Sequence, residues 1–223
     1  MTLYWPKEFE IYLNELLEWN KKFNLTAIID KEDAKYRHFF DSLTLNKACD
    51  FSLGSPSVID IGSGAGFPGI PLKIAFPNLG MTLLDSTSKK VRFLEHIITL
   101  LGLKDIRAAW ARAEDHAKEK TDSFDIALCR ALAPLNTAAE LCLPFVRVGG
   151  RFLAMKGKEA DKEIISGSDA IKKLGGCIEE VVDTPIIDAK GDVLSRKIVV
   201  IAKISKTPPG YPRKAGLAKK RPL

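Results

Sequence analysis

The sequence predicts an α/β fold with a mostly parallel sheet, and two observations support this class. Between residues 57 and 174 of the 223-residue chain, apolar strand-like segments alternate with helix-like segments, which is typical of βαβ units. A turn with three glycines follows the first of these strands, where parallel sheets commonly bind nucleotides. A hydrophobic content of 46% suits one globular domain with an appendage.

Two helical segments come first in the chain. Residues 7–23 have the periodicity of an amphipathic helix. The sequence Asn24-Leu25-Thr26 ends this helix, and residues 31–46 form a second helical stretch. Loop-forming residues at 54–57 separate both helices from the sheet. We therefore expect an N-terminal helical cap over residues 1–50 and a main domain over residues 51–205.

The main domain alternates strands and helices. Its strands are predicted at 57–61, 80–85, 105–110, 124–129 and 150–156, and its helices near 68–76, 88–102, 113–119, 135–144 and 158–174. Two last strands, 177–184 and 193–204, are joined by the short segment 188–192, which is too short for a crossover. The sequence thus predicts five parallel strands followed by an antiparallel hairpin.

Basic residues are concentrated at the C-terminus. The net charge is +6, yet the first 195 residues hold 25 basic and 28 acidic side chains, and the nine basic residues after Asp192 have no acidic neighbour in sequence. Residues 206–223 are therefore predicted to form a basic tail. Such a tail suits a phosphate backbone, and a solvated appendage is an equal alternative. We expect truncation after Ser205 to spare the fold, and the tail to add nothing to a ligand pocket.

Several function classes are disfavoured by composition. No apolar run approaches the roughly 20 residues of a membrane span, and the N-terminus lacks the pattern of a secretory signal. The four cysteines (Cys49, Cys129, Cys142 and Cys177) are far apart in sequence, which predicts reduced thiols and no zinc site. We expect a cytoplasmic protein, a monomer, with no metal centre and no membrane partner.

The glycine turn is the most informative segment. Small residues at Gly62, Gly64 and Gly66 allow backbone N–H groups to approach a ligand closely. The segment from Gly64 to Gly69 fits G-x-G-x-x-G, so a dinucleotide such as NAD is one candidate. Asp60, two residues before the turn, would repel a pyrophosphate and attract the ammonium and sulfonium groups of S-adenosylmethionine (SAM). We therefore favour SAM over NAD.

Polar residues follow the other strands at the same edge of the sheet. Asp85 ends the second strand 19 residues after Gly66, an offset at which a carboxylate binds ribose hydroxyls; helix capping is its alternative role. Glu114 lies after the third strand, where it suits an adenine amine or a helix first turn. Arg130 and Lys156 directly follow apolar strands, a costly place for a cation without a partner or a role.

Further motifs accompany the glycine turn along nearly the whole chain. They are Asn24-Leu25-Thr26, Arg37-His38-Phe39-Phe40-Asp41-Ser42, the Gly66-Phe67-Pro68-Gly69 step, Lys89-Lys90-Val91-Arg92-Phe93-Leu94, Arg112-Ala113-Glu114, Cys129-Arg130-Ala131, Met155-Lys156-Gly157-Lys158, Arg196-Lys197-Ile198-Val199-Val200 and Tyr211-Pro212-Arg213-Lys214-Ala215-Gly216. Together they resemble the bacterial small-subunit rRNA guanine-N7 methyltransferases, called RsmG or GidB. The resemblance implies the class I SAM-dependent methyltransferase fold, which is Rossmann-like.

The resemblance also implies a site and a substrate. Its SAM site maps to Gly62, Phe67, Ala113, Glu114 and Arg130, and with the residues argued above the expected cofactor-binding set is Gly62, Ser63, Gly64, Gly66, Phe67, Asp85, Ser86, Ala113, Glu114 and Arg130. The implied substrate is guanine 527 (standard small-subunit numbering) in the 530 loop of 16S rRNA, within the 30S subunit.

Three cations are the candidate catalytic residues. Arg130, Lys156 and Arg196 would present positive charge to rRNA phosphates or to the O6/N7 edge of guanine. Guanine N7 can accept a methyl group without losing a proton, so the absence of a clear general base fits this reaction. Asn24, His38 and Asp41 would close the pocket, with capping and packing as equal alternatives. A small-molecule methyltransferase, an NAD-dependent oxidoreductase and a non-catalytic rRNA-binding assembly factor remain the competing functions.

Overall fold

The computed structural model describes residues 5–223, which form one seven-stranded sheet flanked by helices. The sheet strands are β1 (Ser57–Ile61), β2 (Gly80–Asp85), β3 (Ile106–Trp110), β4 (Phe124–Arg130), β5 (Val146–Lys156), β6 (Gly176–Asp183) and β9 (Lys197–Lys203), and a separate ribbon contains β7 (Ile186–Ile187) and β8 (Val193–Leu194). The order is β3-β2-β1-β4-β5-β9-β6. The first five strands are parallel, and β9 lies antiparallel between β5 and β6.

Helices cover both faces of the sheet, and three of them precede the first strand in the chain. They are α1 (Lys7–Phe23), α2 (Lys31–Ala34), α3 (Asp41–Leu43), α4 (Gly69–Ala75), α5 (Ser88–Leu100), α6 (Ala113–Glu119), α7 (Leu135–Cys142), α8 (Ala160–Lys173) and α9 (Leu217–Lys220). A π-helical turn (Lys35–Phe40) joins α2 to α3, and a 3₁₀ turn (Thr44–Lys47) follows α3. Within residues 5–223, no helix is long and apolar enough to cross a membrane.

Two strands start about four residues away from their predicted first residues. The final strand starts at Lys197 rather than at 193, because residues 193–194 pair instead with 186–187 around a tight turn in which the Asp188 carboxylate accepts bonds from two backbone N–H groups. The fifth strand begins at Val146 rather than at 150. Gly149, with φ +83°, and a register shift opposite β4 let this strand continue through a bulge.

The N-terminal helices share a hydrophobic cluster with the sheet. Tyr12 of α1 is fully buried, stacks on Phe67 with ring centroids 5.1 Å apart, and donates a hydrogen bond to the Ala65 carbonyl. Phe39, in the π-helical turn, packs edge-on against Phe67 with ring centroids 5.1 Å apart. The glycine turn is therefore held in place by α1 as well as by its own strand.

Residues 206–223, here called the C-terminal segment, pack against the domain. This corrects the expectation that they form an appendage that can be removed without loss of the fold. Glu140 of α7 is fully buried, and the Arg213 guanidinium donates to both of its oxygens at 2.8 and 2.5 Å. Ala218 is also buried, and its carbonyl accepts from the Thr137 hydroxyl at 3.2 Å. Truncation after Ser205 would leave a buried carboxylate without its partner, which typically costs several kcal/mol.

Several of the nine C-terminal cations have partners in the fold, although none has an acidic neighbour in sequence. Lys203 is buried, and its ammonium donates to the Leu143 and Leu174 carbonyls, both at 3.0 Å. Burial lowers the pKa of Lys203 to about 8. Lys197 pairs with Asp161 at 2.9 Å. The exposed cations of the segment are Lys206, Lys214, Lys219, Lys220 and Arg221.

Candidate functional site

The glycine turn adopts backbone conformations that favour glycine. Gly62, Gly64 and Gly66 have φ values of +73°, +60° and +97°, in the left-handed region that side chains disfavour. A Cβ added to Gly64 would have one neighbour within 4 Å, the Gly62 carbonyl oxygen at 3.8 Å. A Cβ at Gly62 would instead lie 2.6 Å from Leu132 Cδ1. The open space beside Gly64 is what a ligand-binding turn requires.

Asp85 fixes the open side of this turn. Its Oδ2 accepts a hydrogen bond from the Gly64 N–H at 3.0 Å, and its Oδ1 accepts from the Thr87 N–H at 2.8 Å, just before α5. The ammonium of Lys90 lies 4.0 Å from Oδ2. This second bond closes a turn before the helix, and α5 itself has no side-chain cap, so the helix-capping role considered for Asp85 is not observed. Its carboxylate also lines the cleft described next.

A cleft of about 270 Å³, here called the glycine cleft, runs along the ends of β1, β2 and β3. It brings together five predicted residues: Gly62, Asp85, Ser86, Ala113 and Glu114. Nine lining residues lie outside the predicted set, among them Thr87, Lys90, Arg112 and Leu132. All four of these lie within four residues of a predicted site residue in sequence, and Leu132 belongs to the loop after β4. No sequence pattern marks its approach to Gly62.

Other predicted residues lie behind the turn. Ser63 is buried and donates its hydroxyl hydrogen to the Asp60 carbonyl at 2.8 Å, while Gly66 and Phe67 pack toward α1. Asp60 itself is fully buried, and its carboxylate accepts from the Gly69 N–H at 3.0 Å at the start of α4. The expectation that this carboxylate faces a ligand on the open side is therefore wrong. Burial raises the pKa of Asp60 to about 7.

Glu114 connects the cleft to the C-terminal segment. It is buried at the first turn of α6, and its Oε1 accepts from the Gly216 N–H at 2.8 Å and from Arg112 Nη2 at 3.3 Å. Burial opposes ionisation of Glu114, but these hydrogen bonds outweigh it and leave the pKa below its usual value. The expectation that the tail adds nothing to the pocket is corrected by this contact.

A second cavity of about 520 Å³, here called the arginine cavity, lies at the ends of β4 and β5. It brings together Arg130, Lys156 and Arg196, with His38 and Asp41 from the N-terminal helices. Arg130 thus lies in this cavity, although it was also predicted to bind the cofactor. Ala131 lines both cavities and has φ +53°, a strained value for a residue other than glycine. The two cavities therefore adjoin at Ala131.

Arg130 is at the centre of a hydrogen-bonded network. Its Nη1 donates to the Arg37 carbonyl at 2.9 Å and to Asp41 Oδ2 at 3.2 Å, and its Nη2 donates to His38 Nδ1 at 3.0 Å. The guanidinium carbon lies 5.3 Å from the centre of the Phe67 ring, which also stacks on His38. These contacts hold the guanidinium in one orientation at the wall of the cavity.

The protonation state of His38 follows from this network. A guanidinium can only donate, so Nδ1 must accept, and the ring hydrogen is on Nε2, which donates to Thr26 Oγ1 at 2.8 Å. Burial and the Arg130 charge lower the pKa of His38 to about 3. His38 is consequently neutral near pH 7, and it is a weak base.

The remaining charges of the cavity are paired across elements. Asp41 Oδ1 lies 3.4 Å from Arg196 Nε; burial raises the pKa of Asp41 against the pull of Arg130 and Arg196. Lys156 Nζ donates to the Ala133 carbonyl at 2.7 Å and pairs with Glu163 Oε2 at 2.7 Å. Asn24, the third residue considered for closing the pocket, ends α1 in a left-handed conformation, which is the capping alternative.

The fold is that of the class I SAM-dependent methyltransferases. The solved structure of M. jannaschii TYW2 in complex with AdoMet has the same fold, with a TM-score of 0.57 and 15% identity over 74% of this chain and 77% of that one. At this identity the likeness concerns the fold alone.

Sequence comparison assigns the family. The model of the GidB family, rRNA small subunit methyltransferase G, matches residues 6–186. The ribosomal RNA small subunit methyltransferase G of Clostridium beijerinckii is 47% identical, and that of Bacillus cytotoxicus 46%, each over 97% of this chain and 90% of the relative. This chain belongs to the rRNA small subunit methyltransferase G family. That membership decides against the NAD-dependent oxidoreductase alternative.

Proposed function

We propose that this chain transfers a methyl group from SAM to N7 of guanine 527, in the 530 loop of 16S rRNA. The relatives named above are small-subunit rRNA methyltransferases. One observation of the structure supports the proposal more than any other: the glycine cleft and the arginine cavity meet at Ala131. A methyl donor in the first and a nucleobase in the second would face each other there.

The residues of the glycine cleft fit SAM. Asp85 and Glu114 line the cleft, where Asp85 offers a carboxylate to ribose hydroxyls and Glu114 offers one to the adenine amino group. Gly64 is not part of the cleft lining, but its N–H donates to Asp85, and the space beside its Cα is open to a ligand. When bound, SAM supplies a methyl group on a positively charged sulfur. The chain's part is to hold that donor in one orientation toward Ala131.

The arginine cavity fits the acceptor edge of guanine. Guanine presents N7 and O6 as acceptors, and arginine is the side chain that most often contacts both. The bonds to Arg37, Asp41 and His38 use three of the five N–H donors of Arg130, which leaves two for a ligand. Lys156 and Arg196 add positive charge for the phosphates that flank the base.

The reaction needs no general base from the chain. The N7 lone pair forms the new N–CH₃ bond as the S–CH₃ bond breaks, no proton is lost, and the positive charge passes to the guanine ring. A neutral His38 whose two ring nitrogens are bonded to Arg130 and Thr26 fits this chemistry, because the reaction asks for no proton acceptor from the chain. Catalysis then consists mainly of alignment by the two cavities.

The test is methyl transfer to ribosomal subunits. Under-methylated 30S subunits and tritiated SAM are incubated with the protein, and the modified base is mapped in 16S rRNA. We expect label at guanine 527 on N7, and none on subunits already methylated there. Label at another nucleotide would overturn the substrate assignment, and absence of label on any rRNA would overturn the proposal.

The exposed cations of the C-terminal segment are proposed to contact rRNA phosphates. Replacement of Lys214, Lys219, Lys220 and Arg221 by alanine should flatten the dependence of log K for RNA on log salt by about 0.7–0.9 for each phosphate that is no longer neutralised. The methylated base should stay the same, because phosphate contacts carry no sequence information. RNA affinity measured at several salt concentrations checks this.

The matched control removes equal charge elsewhere. Alanine at the exposed lysines of the N-terminal helical region, Lys7, Lys21, Lys22 and Lys47, changes the net charge by the same amount. An equal flattening in both variants would show that the effect is general electrostatics rather than a contact made by the C-terminal segment.

A further inference from the structure

The C-terminal segment touches the glycine cleft at one defined point. The Gly216 N–H donates to Glu114 Oε1 at 2.8 Å across 102 residues of sequence. The second donor to the same oxygen, Arg112, is more distant at 3.3 Å, and its side chain is half exposed. Gly216 is therefore the better-placed donor that holds Glu114.

The position of Gly216 is fixed from both sides. Before it, Arg213 forms three hydrogen bonds to the buried Glu140, one from its backbone N–H at 3.0 Å and two from its guanidinium. After it, Ala218 is buried against α7, and Arg213 Nη2 also donates to the Arg221 carbonyl at 2.8 Å. Gly216 has φ +79°, so a residue with a side chain would be strained there.

The anchoring helix belongs to the same cleft. α7, which carries Glu140, also contributes Leu141 to the cleft wall. The segment is thus tied by Arg213 to α7, whose Leu141 lines the cleft, and by Gly216 to Glu114, which also lines it. Because Oε1 of Glu114 accepts the hydrogen bond from Gly216, Oε2 is the oxygen available to a ligand in the cleft.

We propose that residues 213–221 are part of the cofactor site, in which Gly216 is a positioning residue that orients Glu114 toward the adenine amino group of SAM. This inference depends on the proposed SAM site in the glycine cleft. It assigns to the basic segment a role that its charge does not suggest. Loss of the segment should weaken SAM binding about 10-fold, the effect of one hydrogen bond to a charged group.

A double-mutant cycle tests this route through Glu114. In the chain truncated after Pro212, Glu140 is also replaced by glutamine. Without this change, the loss of Arg213 would leave the buried Glu140 carboxylate unpaired. SAM affinity is then measured by calorimetry with and without Glu114→Gln. We expect truncation to weaken SAM binding about 10-fold when Glu114 is present and to have no further effect in Glu114→Gln. Equal losses in both backgrounds, or no loss, would overturn the inference.

Two glycine variants keep the test valid if the truncated chain does not fold. Gly216→Ala and Gly210→Ala both place a side chain at a left-handed position, φ +79° and +88°, with no atom within 4 Å of the added Cβ. Gly216 alone of the two donates to Glu114. Gly216→Ala should weaken SAM binding several-fold and Gly210→Ala should not; equal affinities would contradict the proposal.

The base of the ligand provides an independent measurement. S-inosyl-homocysteine lacks the amino group that Glu114 would accept from, so the full chain should prefer S-adenosylhomocysteine and Gly216→Ala should lose that preference. An unchanged preference would contradict the role of Gly216. If the full chain binds no SAM at all, the proposed function itself fails, and this result is distinct from the others.

Discussion

The Gly64→Val protein is expected to lose SAM affinity by at least about 100-fold, which corresponds to roughly 2.7 kcal/mol. Gly64 has φ +60°, and its N–H donates to Asp85 at 3.0 Å on the open side of the turn. A branched side chain would fill the space that a ligand needs and would strain the backbone by about 1–2 kcal/mol. Calorimetry with SAM on the folded protein checks the result.

Gly54→Val is the matched control for that backbone strain. Gly54 has φ +66°, nearly the value of Gly64, and nothing lies within 4 Å of an added Cβ there. It lies in the loop before β1, away from both cavities. We expect a similar loss of stability from the two variants and normal SAM affinity from Gly54→Val alone. Unchanged affinity in Gly64→Val would mean that the glycine cleft is not the SAM site.

The sheet and the strand-end residues followed from the sequence because they depend on local patterns. Apolar strands separated by helices define a parallel sheet, and in such a sheet the residue after each strand lies at one edge. This rule identified Asp85, Arg130 and Lys156 from the sequence alone. Asp85 lines the glycine cleft, and Arg130 and Lys156 line the arginine cavity.

The partners of those residues did not follow, because they lie in other elements of the fold. Asp41 pairs with Arg130 across 89 residues, and Glu163 of α8 pairs with Lys156 at the end of β5. The π-helical turn that carries Arg37 and His38 has the same apolar pattern as an ordinary helix, so its different hydrogen bonding leaves no sequence signal.

The C-terminal segment shows a different limit. Its lysines, prolines and glycines are typical of a solvated tail, and composition outweighed every other signal. The segment is held instead by Glu140, one buried acid 73 residues before Arg213. This long-range ion pair, with the Thr137–Ala218 and Glu114–Gly216 hydrogen bonds, packs the stretch against the domain, and no local sequence pattern indicates these contacts.

The network around Arg130 changes which substitution is informative there. If Arg130 only lined the site, as its place at a strand end predicts, Arg130→Ala would leave the melting temperature within a few degrees. In the structure Asp41 is buried against Arg130, and removal of one partner of a buried pair costs about 3–5 kcal/mol. A loss of activity in Arg130→Ala would then be confounded with a loss of folding.

Arg130→Lys separates the two effects, and we expect it to lower kcat/KM for methyl transfer at least about 100-fold. The lysine keeps the positive charge beside Asp41 but cannot bond His38, the Arg37 carbonyl and a guanine edge together. For a chain of this size the melting temperature should fall by only roughly 2–8 °C, for a loss of about 1–2 kcal/mol. SAM affinity should stay unchanged, because Arg130 lines the arginine cavity and not the glycine cleft.

Arg151→Lys is the control for arginine chemistry in general. Arg151 lies in β5, the strand next to the β4 strand of Arg130, and forms a two-point ion pair with Glu179 at 2.7 and 2.9 Å, but it is exposed and outside both site cavities. This variant should retain full methyl transfer. If Arg130→Lys also retained full turnover on 30S subunits, the guanidinium would have no role in the reaction; if it lost SAM affinity instead, Arg130 would belong to the cofactor site. A loss confined to the methyl-transfer step, with SAM bound normally, is the result that places Arg130 on the side of the nucleobase.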